Sequence, residues 1–261
     1  MGLPAGYGVL VTRPTHQAQG LCRTLEAAGA MVWLLPALEI EPLSAAELPA
    51  EAVAPLGRAD WLVFVSPNAV RHGLACMARH GIRPRADVRI GAVGKGTERA
   101  LAEAGLAVSA VPDAGFTSED LAAEAAFGDM RGQHVMIVRG DTGRGWLGAH
   151  LRACGAQVDY LAVYRAVRPR VDVAPVREAL QSGRLHSVII TSARGLDNLW
   201  FMLGDSGRES MQRLALVTVS RRIARHAEQG GHTGPIVVAA SPADGDLLEA
   251  VHQASEHHNT R

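Results

Sequence analysis

Lysine is almost missing from this chain. Of 26 basic residues only Lys95 is a lysine, and we read that first as a codon-usage bias. Acidic residues also number 26, so the formal net charge at pH 7 is zero. No global field then draws the protein to nucleic acid or to a membrane surface, and an anionic ligand has to be gathered by local features. Cysteine is scarce: Cys22, Cys76 and Cys154 stand in unrelated contexts with no CxxC and no metal-ligand spacing. Buried, reduced thiols are the expectation, as in a cytoplasm. The histidines at 72, 80, 134, 150, 186 and 226 show neither HxxxH nor HExxH, so no metal site is expected. No apolar run is long enough to span a bilayer. The start of the chain lacks the basic and apolar stretches of a secretory signal, which also points to a cytoplasmic protein.

What is present is an ordinary globular composition, 48% hydrophobic and 20% charged over 261 residues. That length suits two domains better than one. Residues 9–12, 31–35, 61–65, 89–93 and 107–111 are short, β-branched or aliphatic runs, as expected of parallel strands buried on both faces. Amphipathic segments separate them, at 17–28 and 96–104, and end at Gly29 and Gly105, where a left-handed residue closes a helix. Strand and helix alternating in this way predict an α/β fold with parallel sheets. The second half repeats the plan. The run from Val9 to Arg13 aligns with that from Val135 to Arg139, an offset of 126, and Leu25, Gly29, Ser66, Val93 and Gly105 meet Leu151, Gly155, Ser192, Val219 and Gly231 at the same offset. The chain carries two copies of one unit.

Both copies are interrupted after two strands. The stretch "PALEIEPLSAAELPAEAVAPLG" at 36–57 breaks the rhythm, and "YRAVRPRVDVAPV" at 164–176 does the same. We therefore expect a discontinuous first domain of residues 1–37 plus 169–261, a second domain of residues 43–163, and a two-stranded connector formed by 38–42 and 164–168.

Open parallel sheets bind ligands at the C-terminal ends of their strands. Those ends hold Thr12-Arg13, Ser66-Pro67-Asn68, Gly94-Lys95-Gly96-Thr97, Arg139 through Arg144, Thr191-Ser192 and Ser220-Arg221-Arg222. Each precedes a helix, and helix N-termini favour anions. A serine there also serves as a plain N-cap, and Arg13 or Arg139 can equally tie a strand end to a carboxylate. "GAVGKGT" is no P-loop, because glycine follows Lys95 where Ser or Thr is needed. Tyr160 and Tyr164 are two of only three tyrosines, and four residues apart in an extended run they fall on the same side. The last ten residues, "HQASEHHNTR", read as a frayed terminus.

The ordered set "VLVTRPTHQAQGLCRTLEAAGA", "DWLVFVSPNAV", "GAVGKGTERALAEAG", "RGDTGR", "LAVYRAVRP" and "VSRRIARHA" resembles the uroporphyrinogen-III synthases, over essentially the whole chain. The resemblance implies two flavodoxin-like parallel-sheet domains joined by a two-stranded connector. It implies a lyase of tetrapyrrole and haem biosynthesis that cyclises hydroxymethylbilane with inversion of ring D and loss of water. The free bilane closes to the uninverted isomer, so positioning should dominate. Tyr164 matches the family's proton donor to the departing hydroxyl. Arg13, Ser66, Asn68, Lys95, Thr97, Arg139, Arg144, Ser192, Ser220 and Arg221 lie at loops expected to hold the substrate's carboxylates around a cleft. Arg221 and Arg222 stand where many relatives carry hydroxyl residues, which favours a charge-based contact there. No cofactor, metal, nucleic acid or membrane is expected. A cytoplasmic monomer that receives its substrate from the upstream bilane-forming enzyme is. The rival reading is a non-catalytic two-lobed binder of small anions.

Overall fold

Four-residue runs supply most of the strands, and nearly all of them hand the chain to a helix. The computed structural model describes residues 2–115 and 117–258. The first half contains β1 (Gly8–Val11), α1 (Thr15–Ala27), β2 (Met31–Leu34), β3 (Glu39–Pro42), α2 (Ala50–Val53), β4 (Trp61–Phe64), α3 (Pro67–Arg79), β5 (Arg89–Ala92), α4 (Lys95–Glu103) and α5 (Ser118–Ala122). The second contains β6 (His134–Gly140), α6 (Trp146–Ala153), β7 (Gln157–Val167), α7 (Ala174–Gln181), β8 (Ser187–Ile190), α8 (Ala193–Met211), β9 (Ala215–Thr218), α9 (Arg221–Gln229), β10 (Ile236–Val238) and α10 (Asp244–His258).

The chain divides into two compact units, Met1–Glu39 with Val167–Arg261, and Ile40–Ala166. The sheet of the first runs β10-β9-β8-β1-β2, and its pairs are parallel. Counted in that unit's own strands this is 2-1-3-4-5, the flavodoxin-like order. One face buries Val9, Val11, Ile189 and Val217 beneath α1 and α10, and the other buries Leu10, Val188, Ile190 and Leu216 with α7, α8 and α9. The sheet of the second unit runs β3-β7-β6-β4-β5. There Leu62, Phe64, Met136 and Val138 face α3 and α4, while Trp61, Val63, Val135 and Ile137 face α5 and α6.

The internal repeat is kept to the residue. β1, β2, β4 and β5 start at positions 8, 31, 61 and 89, and β6, β7, β8 and β9 start at 134, 157, 187 and 215. Gly29 and Gly155, at equivalent helix ends, both take positive φ, at 94° and 96°, the left-handed conformation that glycine enters without a Cβ clash. Each repeat nevertheless splits between the units. The first two strands of one copy pair into a sheet with the later strands of the other.

Some expectations are corrected. Residues 107–111 form no strand. A single bridge joins Gly91 and Ala110, and Pro112 brings no amide to extend it. β2 is an edge strand, with Met31 and Leu34 exposed. The stretch 164–168 forms no strand of its own: residues 164–167 are the end of β7 (Gln157–Val167), and β3 is the neighbour of that strand in the sheet of the second unit. Of the three free thiols only Cys76 is buried, and Cys22 and Cys154 are partly exposed. The tail is helical through His258 in α10, and residues 259–261 of that reading lie outside the described residues. Among the described residues no helix is long and apolar enough to cross a membrane.

His232, between α9 and β10, is buried, with the Pro235 and Leu214 carbonyls near its ring but outside good hydrogen-bond geometry. Desolvation pushes its pKa below the ordinary imidazole value, against weaker opposing pulls from the Pro235 and Leu214 carbonyls and the Glu228 charge. The unfolded chain therefore binds the proton more readily. The stability this group contributes is complete above about pH 6.5 and is lost as pH falls below that toward the folded-state value. Thermal unfolding of His232→Phe should accordingly lose less Tm between pH 7 and pH 5 than the parent protein does. An identical acid limb in the two proteins would remove His232 from the acid response.

Candidate active site

The sheets deliver their polar residues where strands end and helices begin. Ser66 follows β4 in extended geometry and accepts the Ala69 amide into its Oγ at 3.1 Å, capping α3. Ser192 follows β8 and accepts the Gly195 amide at 3.0 Å, capping α8. Ser220 accepts the Ile223 amide at 3.4 Å, capping α9, with Arg221 and Arg222 exposed in that helix's first turn. Three strand ends thus repeat one device, a hydroxyl that spends a lone pair on an otherwise unpaired helix amide. Asn68 lies half-buried in the first turn of α3.

Three of the basic candidates are paired with carboxylates. Arg13 is 8% exposed and its Nη1 pairs with Asp244 at 2.9 Å, while Nη2 donates to the Pro242 carbonyl. This ties the end of β1 to the start of α10, the carboxylate tie weighed from the sequence. Lys95 pairs with Glu98 at 3.3 Å, and Arg144 holds Glu119 through two bonds of 2.5 and 2.8 Å. These last two pairs are largely exposed and are worth at most about 1 kcal/mol each, so a ligand carboxylate can displace the acidic partner. Arg13 is not available in that way. Thr97 is 4% exposed, because Thr97 and Leu101 form the buried face of α4. That placement speaks against a surface contact at Thr97. Arg139 donates to the Gly140 carbonyl at 3.1 Å and the Arg144 carbonyl at 3.3 Å, and lies over the Tyr160 ring.

Ser66 and Tyr164 are brought together side chain to side chain, with Oγ and the phenol oxygen 3.1 Å apart. The two tyrosines, expected on one side, point to opposite faces of the sheet. Tyr160 lies on the α6 face, where its hydroxyl donates to the Gly145 carbonyl. Tyr164 packs with the α3 cluster beside His72, the ring centroids 5.8 Å apart. A shift in the β6–β7 register between Arg139 and Gly140 turns it over, as β-bulges do. Burial raises the Tyr164 pKa above the ordinary phenol value, opposed by the Ser66 bond and the Arg139 charge and reinforced by Asp141. The phenol is therefore a neutral donor at physiological pH.

Sequence reasoning missed Asp244, Glu119 and Glu98, and gave His72 and Gly140 no role of their own. Only Glu98 carried a readable signal, three residues after Lys95 on one helix. The others meet their partners through tertiary structure. Arg13→Ala should lower the unfolding free energy by about 2–3 kcal/mol, as loss of a partly buried ion pair, whereas Arg144→Ala should stay within about 1 kcal/mol. Urea denaturation of both variants checks the ranking, and equal losses would contradict it.

Residues 19–249 match the family described as uroporphyrinogen-III synthase HemD. The chain is 29% identical to the uroporphyrinogen-III synthase of Salmonella typhimurium over 243 residues, covering 92% of this chain and 97% of that one. It is 28% identical to the Escherichia coli enzyme over 242 residues, covering 92% and 97%. Among solved structures, uroporphyrinogen III synthase from Thermus thermophilus superposes with a TM-score of 0.68 at 22% identity, covering 96% of this chain and 99% of that one. The Helicobacter pylori protein gives 0.60 at 13%, covering 95% and 99%. These two likenesses concern the fold, and it is the family match across most of the sequence that assigns the protein: the chain belongs to the uroporphyrinogen-III synthase family.

Proposed function

We propose that this protein cyclises hydroxymethylbilane to uroporphyrinogen III, inverting ring D and releasing water. Family membership supports this reading over a non-catalytic anion binder. The observation in the molecule itself that carries it is the Ser66–Tyr164 hydroxyl pair at the N-terminus of α3. Departure of a hydroxyl group needs a proton or a strong hydrogen bond delivered to the leaving oxygen. Ser66 Oγ accepts the Ala69 amide and can donate its own proton to the phenol oxygen. That leaves the Tyr164 proton free to point at the leaving hydroxyl. The raised pKa keeps this proton in place, and a neutral donor does not repel or bind the substrate's carboxylates as a charge would.

Loss of water and ring closure leave the oxidation level unchanged, so the reaction asks for no redox cofactor. Arg139, Arg144, Lys95, Asn68, Ser192, Ser220 and Arg221 are our proposed contacts for the carboxylates, with Lys95 and Arg144 exchanging Glu98 and Glu119 for substrate. A cytoplasmic monomer taking its substrate from the bilane-forming enzyme belongs to the same proposal.

Incubation with freshly prepared hydroxymethylbilane and separation of the III and I isomers tests the activity. Isomer I alone, at the spontaneous rate, would refute it. A phenol is a weak acid, so Tyr164→Phe should lower kcat by about 10- to 100-fold, the low end of general-acid effects, with an unchanged far-UV spectrum and Tm. Full activity in that variant would take Tyr164 out of the mechanism.

A further inference from the structure

We propose that Gly140, together with the bulge in β7 opposite it, is a positioning residue that holds the Tyr164 ring against Ser66. The proposal rests on the reading of Tyr164 as the donor to the leaving hydroxyl, and goes beyond it to the residue that makes the aim possible. In a regular strand, side chains alternate between faces. Val158 packs on the α6 face of the sheet, and Leu161 and Val163 pack on the α3 face. By that rhythm Tyr164 would return to the α6 face, beside Tyr160. It does not. Arg139 pairs with Ala162 and the next residue, Gly140, pairs with Tyr164, which leaves Val163 opposite nothing on β6. One extra residue on β7 resets the alternation and turns the ring toward α3.

The bulge is held on both sides. The Val163 carbonyl accepts the Leu43 amide at 3.1 Å, and beyond the bulge the Asp141 amide donates to the Tyr164 carbonyl at 2.8 Å. The turned ring then lies directly on Gly140. A Cβ on that residue would stand 2.7 Å from Cε2, 2.9 Å from Cζ and 3.3 Å from Cδ2 of Tyr164. Contacts below 3 Å cannot persist, so any side chain at 140 displaces the ring and its hydroxyl.

The other repeat provides an internal comparison. At the offset of 126, Tyr164 corresponds to Leu38 and Gly140 to Pro14. Leu38 lies beside the first turn of α8, with its Cδ1 3.8 Å from a Cβ placed on Gly195. The same strand-end position beside a serine-capped helix therefore holds an aliphatic group in one copy. In the other it holds a phenol over a glycine.

The test is a double-mutant cycle of Gly140→Ala and Tyr164→Phe, assayed as initial rates of isomer III formation. Alone, Gly140→Ala should lower kcat tenfold or more with KM changed less than threefold. In the Tyr164→Phe background it should change kcat less than twofold, because the hydroxyl it misplaces is already gone. A kcat within twofold of the parent for Gly140→Ala, or an equal loss in both backgrounds, would overturn the proposal. A second readout is independent of turnover. The chain has three tyrosines, so the Tyr164 ring carbon is assigned in an NMR spectrum by its loss in Tyr164→Phe, and its alkaline titration is followed. Gly140→Ala should move that titration measurably, and an unmoved titration would also overturn the proposal. If the parent protein makes no isomer III, the functional reading fails while this titration still judges the positioning. Should Gly140→Ala not fold, Gly140→Ala/Tyr164→Ala removes the ring that the methyl group strikes. Recovery of a cooperative melt supports the steric conflict, and continued misfolding overturns it.

Discussion

A serine hydroxyl that closes the first turn of a helix, at the point where a buried parallel strand ends, is the constraint on which this architecture turns. The strand has to be buried to fix where it stops, and the helix has to start at once so that its amides face the strand end. Ser66, Ser192 and Ser220 satisfy both requirements. Each is capping a helix, and each leaves a polar, amide-rich edge at the C-terminal end of its sheet. Such an edge favours negative charge without any lysine or arginine being spent on it. This is how a chain with no net charge can be suited to a polycarboxylate.

Duplication supplies the edges, and divergence gives one of them a paired serine and tyrosine. The strand starts of the two copies coincide through four strands, yet each copy gives its first two strands to one sheet and its later strands to the other. Parallel pairing permits this because it depends on backbone register and not on which copy a strand comes from. A single extra residue in β7 and a glycine opposite it bring a phenol onto a helix cap. The corresponding place in the other copy kept a leucine. In the proposed mechanism, the asymmetry between the copies comes from local backbone geometry laid over a symmetrical plan.

Carboxylates near the cations serve two different ends. Arg13 is substantially removed from water although Asp244 is 38% exposed, and taking the carboxylate away leaves a desolvated guanidinium, so the pair is mechanical. Glu119 and Glu98 are in water with their partners, where the pair adds little and is easily exchanged. In our reading they keep Arg144 and Lys95 ordered until a better anion arrives. The exposure of the cation, not the distance, separates the two cases.

Periodicity in the amino-acid sequence by itself determined the α/β class, the parallel strands, the helix-ending glycines, the duplication and the serine caps. All of these depend on residues close together in the chain or on a repeat that alignment reveals. It also marked Tyr164, through the family pattern. It misjudged 107–111 and the edge strand β2, because propensity cannot see a missing pairing partner. It placed Tyr160 and Tyr164 on one side, because a bulge depends on the register between two strands and is invisible in either strand alone. Only the tertiary structure decided that Arg13 is a tie and that Thr97 faces inward. It also decided that Gly140 lies under the phenol. Each of those facts is a contact between residues remote in the chain, or a question of which helix face meets the sheet, and packing alone settles such matters.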